Sequence, residues 1–327
     1  MLLLRSLPDL ASASAEFRAW FHSKWGRDNC IIWGRTRQAR FGPRPHALSI
    51  RAAWGGEERC RFNGRAVAVD DDSFLILNNG RICETQIDSV QPVESISIHF
   101  RPGLVERAYG AMTLAIENAL DRGELVVERS TEFGESLQPH DKLVSPIIRF
   151  IKLHVLQGVD DEAWYDEQLH FLLARMLAYR DAQVRRIDNL RLVRATTRHE
   201  IYRRISIATD FLHSNYGQGL DLTTLGRTAC LSKYHFLRLF KLVHGVTPHQ
   251  YLQRKRAHVA LRLLRTTSLP VHEIAVRVGF AHRHSLVRQL RQWAGLTLRD
   301  IRTRPEPAET SSVPARRRSA DTCSRYR

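Results

Sequence analysis

Leu231-Ser232-Lys233-Tyr234-His235-Phe236-Leu237-Arg238-Leu239-Phe240-Lys241 carries two interleaved patterns. Phe236, Leu239, Phe240 and Val243 recur at helical spacing and make one apolar face. Tyr234, Arg238 and Lys241, at i, i+4 and i+7, share another. Ser232 is suited to cap this helix and Asp221 to cap a shorter one over Leu222–Thr228, with Cys230-Leu231-Ser232 as the turn between them. A short helix, a tight turn and a second helix with a basic, aromatic outer face make a helix-turn-helix. Such a second helix fits the major groove of duplex DNA, where exposed side chains near its start reach base edges.

The pattern occurs twice. Leu225, Ala229 and Leu231 recur at Ile274, Val278 and Phe280, an offset of 49. Phe236, Arg238, Phe240, Lys241, Gly245, Thr247 and Tyr251 recur at Leu286, Arg288, Leu290, Arg291, Gly295, Thr297 and Ile301, an offset of 50. In the second copy Pro270–Val278 is the supporting helix, and Gly279 supplies a residue that tolerates the positive φ of a sharp turn. Leu286, Leu290 and Trp293 are expected to face inward, and His284, Arg288 and Arg291 outward. A helix over about Pro248–Arg265 joins the copies, with Ala257, Ala260, Leu261 and Leu264 as its buried stripe.

The first copy, with Thr247-Pro248 and Tyr251-Leu252, resembles the first helix-turn-helix of AraC/XylS-type transcriptional regulators. Arg256, Ala260, Leu263-Leu264, Ile274-Ala275, Val278-Gly279-Phe280 and Gly295 continue that pattern, so the resemblance covers about residues 200–304. It implies two reading units on one linking helix, placed in adjacent major-groove segments of double-stranded DNA, and activation through contact with RNA polymerase. Matched by position, Tyr234, Leu237, Arg238, Arg283, His284 and Arg288 are the base-reading candidates, and Lys233, Lys241 and Arg291 the phosphate contacts. The chain departs from the family at Leu286 and Leu290, where Phe is usual, at Leu298, where Pro is usual, and at Ile301, where an aromatic is usual. All four remain apolar, so the core of the second unit is expected to survive.

Charge points the same way. Residues 1–195 carry 26 basic and 26 acidic residues, whereas residues 196–327 carry 24 and 8, so the whole excess of +16 lies in the last part. Five arginines (Arg316, Arg317, Arg318, Arg325 and Arg327) sit in a tail, but the remaining excess implies a polyanionic partner.

Residues 30–101 read as β-rich, with apolar segments at Cys30–Trp33, Ala47–Ile50, Ala66–Val69, Phe74–Leu77 and Ile96–Phe100. Asn63-Gly64, Asn79-Gly80 and Asp70-Asp71-Asp72 are turn signals between them. Helical spacing follows over Leu104–Leu120, Lys142–Leu156 and Asp161–Ile187. The stripe Leu169, Leu172, Leu173, Met176 belongs either to an internal core or, if exposed, to a subunit contact. The expected class is α+β: a cupin-like β-barrel with following helices, then an all-α domain with two helix-turn-helix units. Expected boundaries are 1–195 for effector sensing and dimerisation, 196–304 for DNA binding and 305–327 for a disordered tail, with a polar linker over 188–199.

Other classes fit less well. No apolar run reaches the ~18–20 residues that cross a bilayer, and the apolar start lacks the length of a signal peptide, so no membrane partner and a cytoplasmic location are expected. Cys30, Cys60, Cys83, Cys230 and Cys323 form no CxxC pair, which argues against a zinc cluster or an alkyl-accepting repair centre. His46 and His99 are the only histidines between Asn29 and Arg101 and form no HxH pair, so a metal-dependent cupin enzyme, a cofactor and a catalytic site are not expected. The expectation is a sequence-specific, ligand-responsive transcription activator. It acts as a homodimer and binds a small-molecule effector inside the barrel. The alternative is a non-specific or architectural DNA-binding protein.

Overall fold

The computed structural model of the chain describes residues 1–10, 12–110, 132–189, 195–295 and 297–303. Packing divides the chain into two units, Met1–Lys255 and a second from Arg256 onward.

The first unit begins with β1 (Leu2–Leu4) and α1 (Ala15–Lys24). Seven further strands follow: β2 (Cys30–His46), β3 (Ser49–Trp54), β4 (Glu57–Phe62), β5 (Arg65–Asp70), β6 (Ser73–Leu77), β7 (Arg81–His99) and β8 (Leu137–Pro139). Their order is β1-β2-β7-β3-β6-β8, with β4 also on β7 and β5 on β4. The long strands β2 and β7 pair antiparallel over most of their length, with register shifts between Thr36 and Gln38 and between Phe41 and Arg44. The end of β7 also carries β3 (Ser49 opposite His99), and its beginning carries β4 (Arg59 opposite Gln86). β7 therefore holds β3 and β4 at its two ends within one eight-stranded sheet. The structure rolls over an inner core of Ala53, Cys60, Phe62, Val67, Val69, Leu75, Leu77 and Val93. Among the described residues the expected cupin-like barrel is left open: β5 pairs only with β4 and β8 only with β6. Asn63 and Gly64 both have positive φ (49° and 71°), as the tight turn between β4 and β5 requires.

Successive residues of a strand point to opposite faces. On β3 and β6, Ile50, Ala52, Trp54, Phe74 and Ile76 join an outer core with Ile148, Ile151, Leu169, Leu172, Leu173 and Met176. These last residues come from α2 (Ser145–Leu156) and α3 (Glu162–Asp188). Both faces of β3 are covered, so its residues are all buried and the strand reads as continuous rather than alternating. The stripe Leu169, Leu172, Leu173, Met176 is fully buried within the chain and is not a subunit contact.

The apolar-segment reading missed four elements, among them the three-residue β8. β4 hides in Glu57-Glu58-Arg59-Cys60-Arg61-Phe62, where charged residues alternate with buried ones. β1 and α1 lie in a stretch whose apolar runs are too short to announce them. The helix expected over Leu104–Leu120 is present at 104–110; its remainder, part of the 188–199 linker and the tail from residue 305 fall outside the described residues. At the linker's other end α4 (Ala195–Ser214) has already begun.

The first unit closes with α4, α5 (Leu222–Thr228), α6 (Lys233–His244) and the start of α7 (Pro248–Thr266). Ile205, Ala208, Leu212, Leu225, Phe236, Leu239, Phe240, Val243 and Leu252 form their core. The second unit holds the rest of α7, α8 (Val271–Arg277), α9 (Arg283–Ala294) and α10 (Leu298–Thr303). Its buried residues include Ala257, Ala260, Leu261 and Leu264, the stripe expected for the joining helix. Leu286, Leu290 and Ile301 are buried as well, so these apolar departures from the family pattern do fill the core.

Candidate nucleic-acid interface

The first helix-turn-helix is set by local chemistry. The Asp221 carboxylate accepts from the Thr224 N–H at 2.6 Å and caps α5, and the Ser232 hydroxyl accepts from the His235 N–H at 3.4 Å at the start of α6. A Cβ on Gly226 would lie 2.9 Å from the Leu231 carbonyl oxygen, so glycine lets the turn lie directly against α5. Cys230 bends the chain with a φ of 51°, and its carbonyl accepts from the Arg204 guanidinium at 3.2 Å. Gly279, 49 residues later, does the same in the second unit with a φ of 88°. The repeat thus extends to backbone conformation. Both outer helices end on glycines in the left-handed region, Gly245 and Gly295.

On α6 the apolar face is buried, and Lys233, Tyr234, Arg238 and Lys241 are exposed while Leu237 is half-buried. Tyr234 is 75% exposed, high for an aromatic side chain, and Lys233 Nζ sits 4.9 Å from its ring centre. On α9, Arg283, His284, Arg288 and Arg291 are exposed. All four line an open groove of about 560 Å³ with Val287, Thr297 and Leu298. Each outer helix therefore gathers its sequence-predicted residues on one solvent-facing side. Trp293 departs from expectation. It is 41% exposed rather than inward, at the last turn of α9, where its ring lies beside His258 of α7 at 5.8 Å.

A second polar group, which sequence reading did not assemble, lies within the roll. Arg51 is buried and donates to Glu58 Oε1 at 3.2 Å; Glu58 Oε2 accepts from the Ser95 hydroxyl at 2.7 Å. His46 and His99, 53 positions apart, stack at 5.3 Å, and the Trp25 ring lies 4.7 Å from His99. Burial, followed by the Arg51 charge, pushes His46 down to about 3 and His99 well below its ordinary value. Both rings are thereby held neutral. Among the described residues, both nitrogens of His99, Nδ1 of His46, the Ser49 hydroxyl and Nε of Arg51 have no hydrogen-bond partner. The available signal was strand parity: Ser49, Arg51, Ser95, Ser97 and His99 all fall on the positions opposite the outer core.

The two parts of the chain match different domain models. Residues 225–304 match a helix-turn-helix domain model, and residues 29–137 match that of the AraC-like ligand binding domain. The "Bifunctional transcriptional activator/DNA repair enzyme AdaA" of Bacillus subtilis (strain 168) is 28% identical over 106 residues, 32% of this chain and 50% of that protein. The "Probable transcriptional regulator LumQ" of Photobacterium leiognathi is 25% identical over 169 residues, 51% of this chain and 62% of that protein. The chain thus spans between half and two thirds of the length of these two relatives. Among solved structures, the C-terminal domain of AraT, a response regulator from Geobacillus stearothermophilus, is 27% identical. That match covers 33% of this chain and 90% of that one, with a TM-score of 0.30. A ligand-binding domain model matched before a helix-turn-helix model, with similar proteins that are named regulators, supports an AraC/XylS-type transcriptional regulator.

Proposed function

We propose that the protein is a sequence-specific, double-stranded-DNA-binding transcription regulator that responds to a small molecule and activates transcription through RNA polymerase. One observation carries the DNA reading. Two outer helices, set by turns of the same conformation, expose an arginine at the same repeat position, Arg238 and Arg288. Arginine at such a place can fork onto guanine in the major groove. Tyr234, Leu237, Arg283 and His284 complete the base-reading set, with Lys233, Lys241 and Arg291 on phosphates.

The effector is assigned to the roll, where a buried arginine and neutral histidines offer unfilled hydrogen-bonding atoms. Dimerisation is assigned to residues 1–195, in which α2 exposes Phe150, Leu153 and Leu156, and α3 exposes Phe171. A two-fold dimer uses one self-complementary patch, and this one is apolar. The reading is of a binding protein rather than an enzyme. No helix among the described residues is long and apolar enough to cross a membrane, and a cytoplasmic location is part of the proposal.

The test is selection of duplexes from a random library by the full chain, followed by affinity measurement at physiological salt. A selected site should be preferred over random DNA by ~10³-fold or more. Near-equal binding would leave an architectural protein instead.

A further inference from the structure

Among the described residues β1, β5 and β8 are the edge strands of the open roll, and within the first unit both β5 and β8 are met by residues of the helix-turn-helix half. Asp210 of α4 spans them. Its Oδ2 accepts from Arg65 of β5 at 3.0 Å, and its Oδ1 accepts from the Leu137 N–H of β8 at 2.9 Å. One turn on, the Ser214 hydroxyl accepts from the Ala68 N–H of β5 at 2.8 Å. His213 Nε2 lies 3.0 Å from Asp70 Oδ1 at the end of β5. Lys255 Nζ, from α7, donates to Asp70 Oδ2 at 2.5 Å and to Asp72 Oδ2 at 2.6 Å.

We infer that these residues form a seam latch, in which Asp210, His213, Ser214 and Lys255 take the place of the missing β-ladder between β5 and β8 and so couple the state of the roll to the first reading unit. This rests on the regulator reading for its purpose, but the physical coupling stands without it.

The reasons are chemical. A free strand edge carries backbone groups that need partners. Here Ala68 and Leu137 find theirs on α4 side chains rather than on another strand. Asp70, Lys255, His213 and Asp210 are all buried. Burial alone would push the Asp70 carboxyl up and the Lys255 ammonium down; their mutual attraction overrides it in both, so the pair is ionised. The carboxylates of Asp70 and Asp72 come from the roll, and Lys255 and His213 from the helices. Each side can be rehydrated when the two part, unlike the apolar outer core. Removing one partner strands the other's charge in a dry place, which strongly favours opening. The first reading helix keeps Tyr234 and Arg238 exposed while the latch is closed, so the latch and a DNA contact use different surfaces.

Hydrogen exchange on the full chain tests this, with Lys255→Met changed on the helix side and exchange read at β8, which carries neither of Lys255's two acceptors. Exchange across 134–140 and 65–70 should rise at least 10-fold, while β2 and the C-terminal half of β7 stay unchanged. Ser214→Ala, a milder change, should raise exchange at Ala68 and, to a smaller degree, at Leu137. The reverse experiment, Asp70→Asn, should raise exchange in α4. Unchanged exchange at β8 in both Lys255→Met and Ser214→Ala would overturn the latch, as would a rise spread evenly over the whole roll. A further arm adds a duplex selected by the full chain. By linkage it should alter seam exchange, and Lys255→Met should raise affinity for that duplex if the duplex favours opening and lower it if the duplex favours closure, by at most the factor by which the duplex alters opening. If no duplex is selected, the regulator reading fails while the exchange result still decides the coupling. If a duplex binds and the seam does not respond, the latch is overturned alone.

Discussion

Single side chains carry the discrimination proposed for this protein, and they divide by the kind of group they meet. Arg238 stands on the exposed side of α6 with its guanidinium free to fork. Arg238→Ala should cost ~1–3 kcal/mol on a selected site and relax preference at one base position, measured by competition with single-base variants of the duplex. Lys241, one turn further along, is a phosphate candidate and should behave differently. Lys241→Ala should weaken all sequences alike and lower the slope of log affinity against log salt by about one. At Cys230 the backbone adopts a left-handed conformation that costs a side-chain-bearing residue of order 1 kcal/mol or more, whereas its counterpart 49 residues on is a glycine. Part of the relief on substitution is returned as unfolded-chain entropy. Cys230→Gly should therefore stabilise the chain by ~0.5–1 kcal/mol in urea titrations with an unchanged m-value.

At the level of elements, what could be read in the sequence depended on how local the forces are. The two helix-turn-helix units were legible because caps, turn residues and helical spacing all act within a dozen residues, and Asp221, Ser232 and Gly279 perform the roles their types suggest. Trp293 was misjudged because the end of an amphipathic helix is placed by tertiary neighbours rather than by period. The roll was legible in class but not in detail. β4 is half charged, and pairs such as His46 with His99, or Asp70 with Lys255, are created by strand pairing and docking across 53 and 185 positions. Of the two readings open for the regular stripe of α3, the internal one holds, and the dimer face proposed above uses the exposed apolar residues of α2 instead. Leu153→Asp, at an exposed position on α2, should leave the folded helix content intact and shift the full chain from dimer to monomer in sedimentation at micromolar concentration. A species unaffected by this change would place the dimer contact elsewhere.

For the molecule as a whole, the acid limit of stability follows from how it buries histidine. His46 is pushed down to about 3 by burial followed by the Arg51 charge, and His244 to about 4 by burial followed by Arg186. His244 lies 2.9 Å from the Thr209 hydroxyl, which already donates to the Ile205 carbonyl oxygen, so the ring's Nε2 carries the proton and donates. Above pH ~6.5 both histidines are neutral whether the chain is folded or not, and they contribute no pH dependence. Below that pH the unfolded chain takes up protons that the folded chain refuses, so folding stability falls as pH drops toward 4. At pH 5 the loss should be ~2 kcal/mol for each of the two, set by the unfolded value because the folded groups are still neutral there. Urea midpoints measured between pH 8 and pH 5 should be flat in respect of these groups down to about 6.5 and then decline. His244→Gln, which keeps a donor near Thr209 and removes one titrating ring, should remove about half of the decline due to this pair. An equally steep limb in that variant would mean that His244 is reached by solvent and titrates normally in the folded chain.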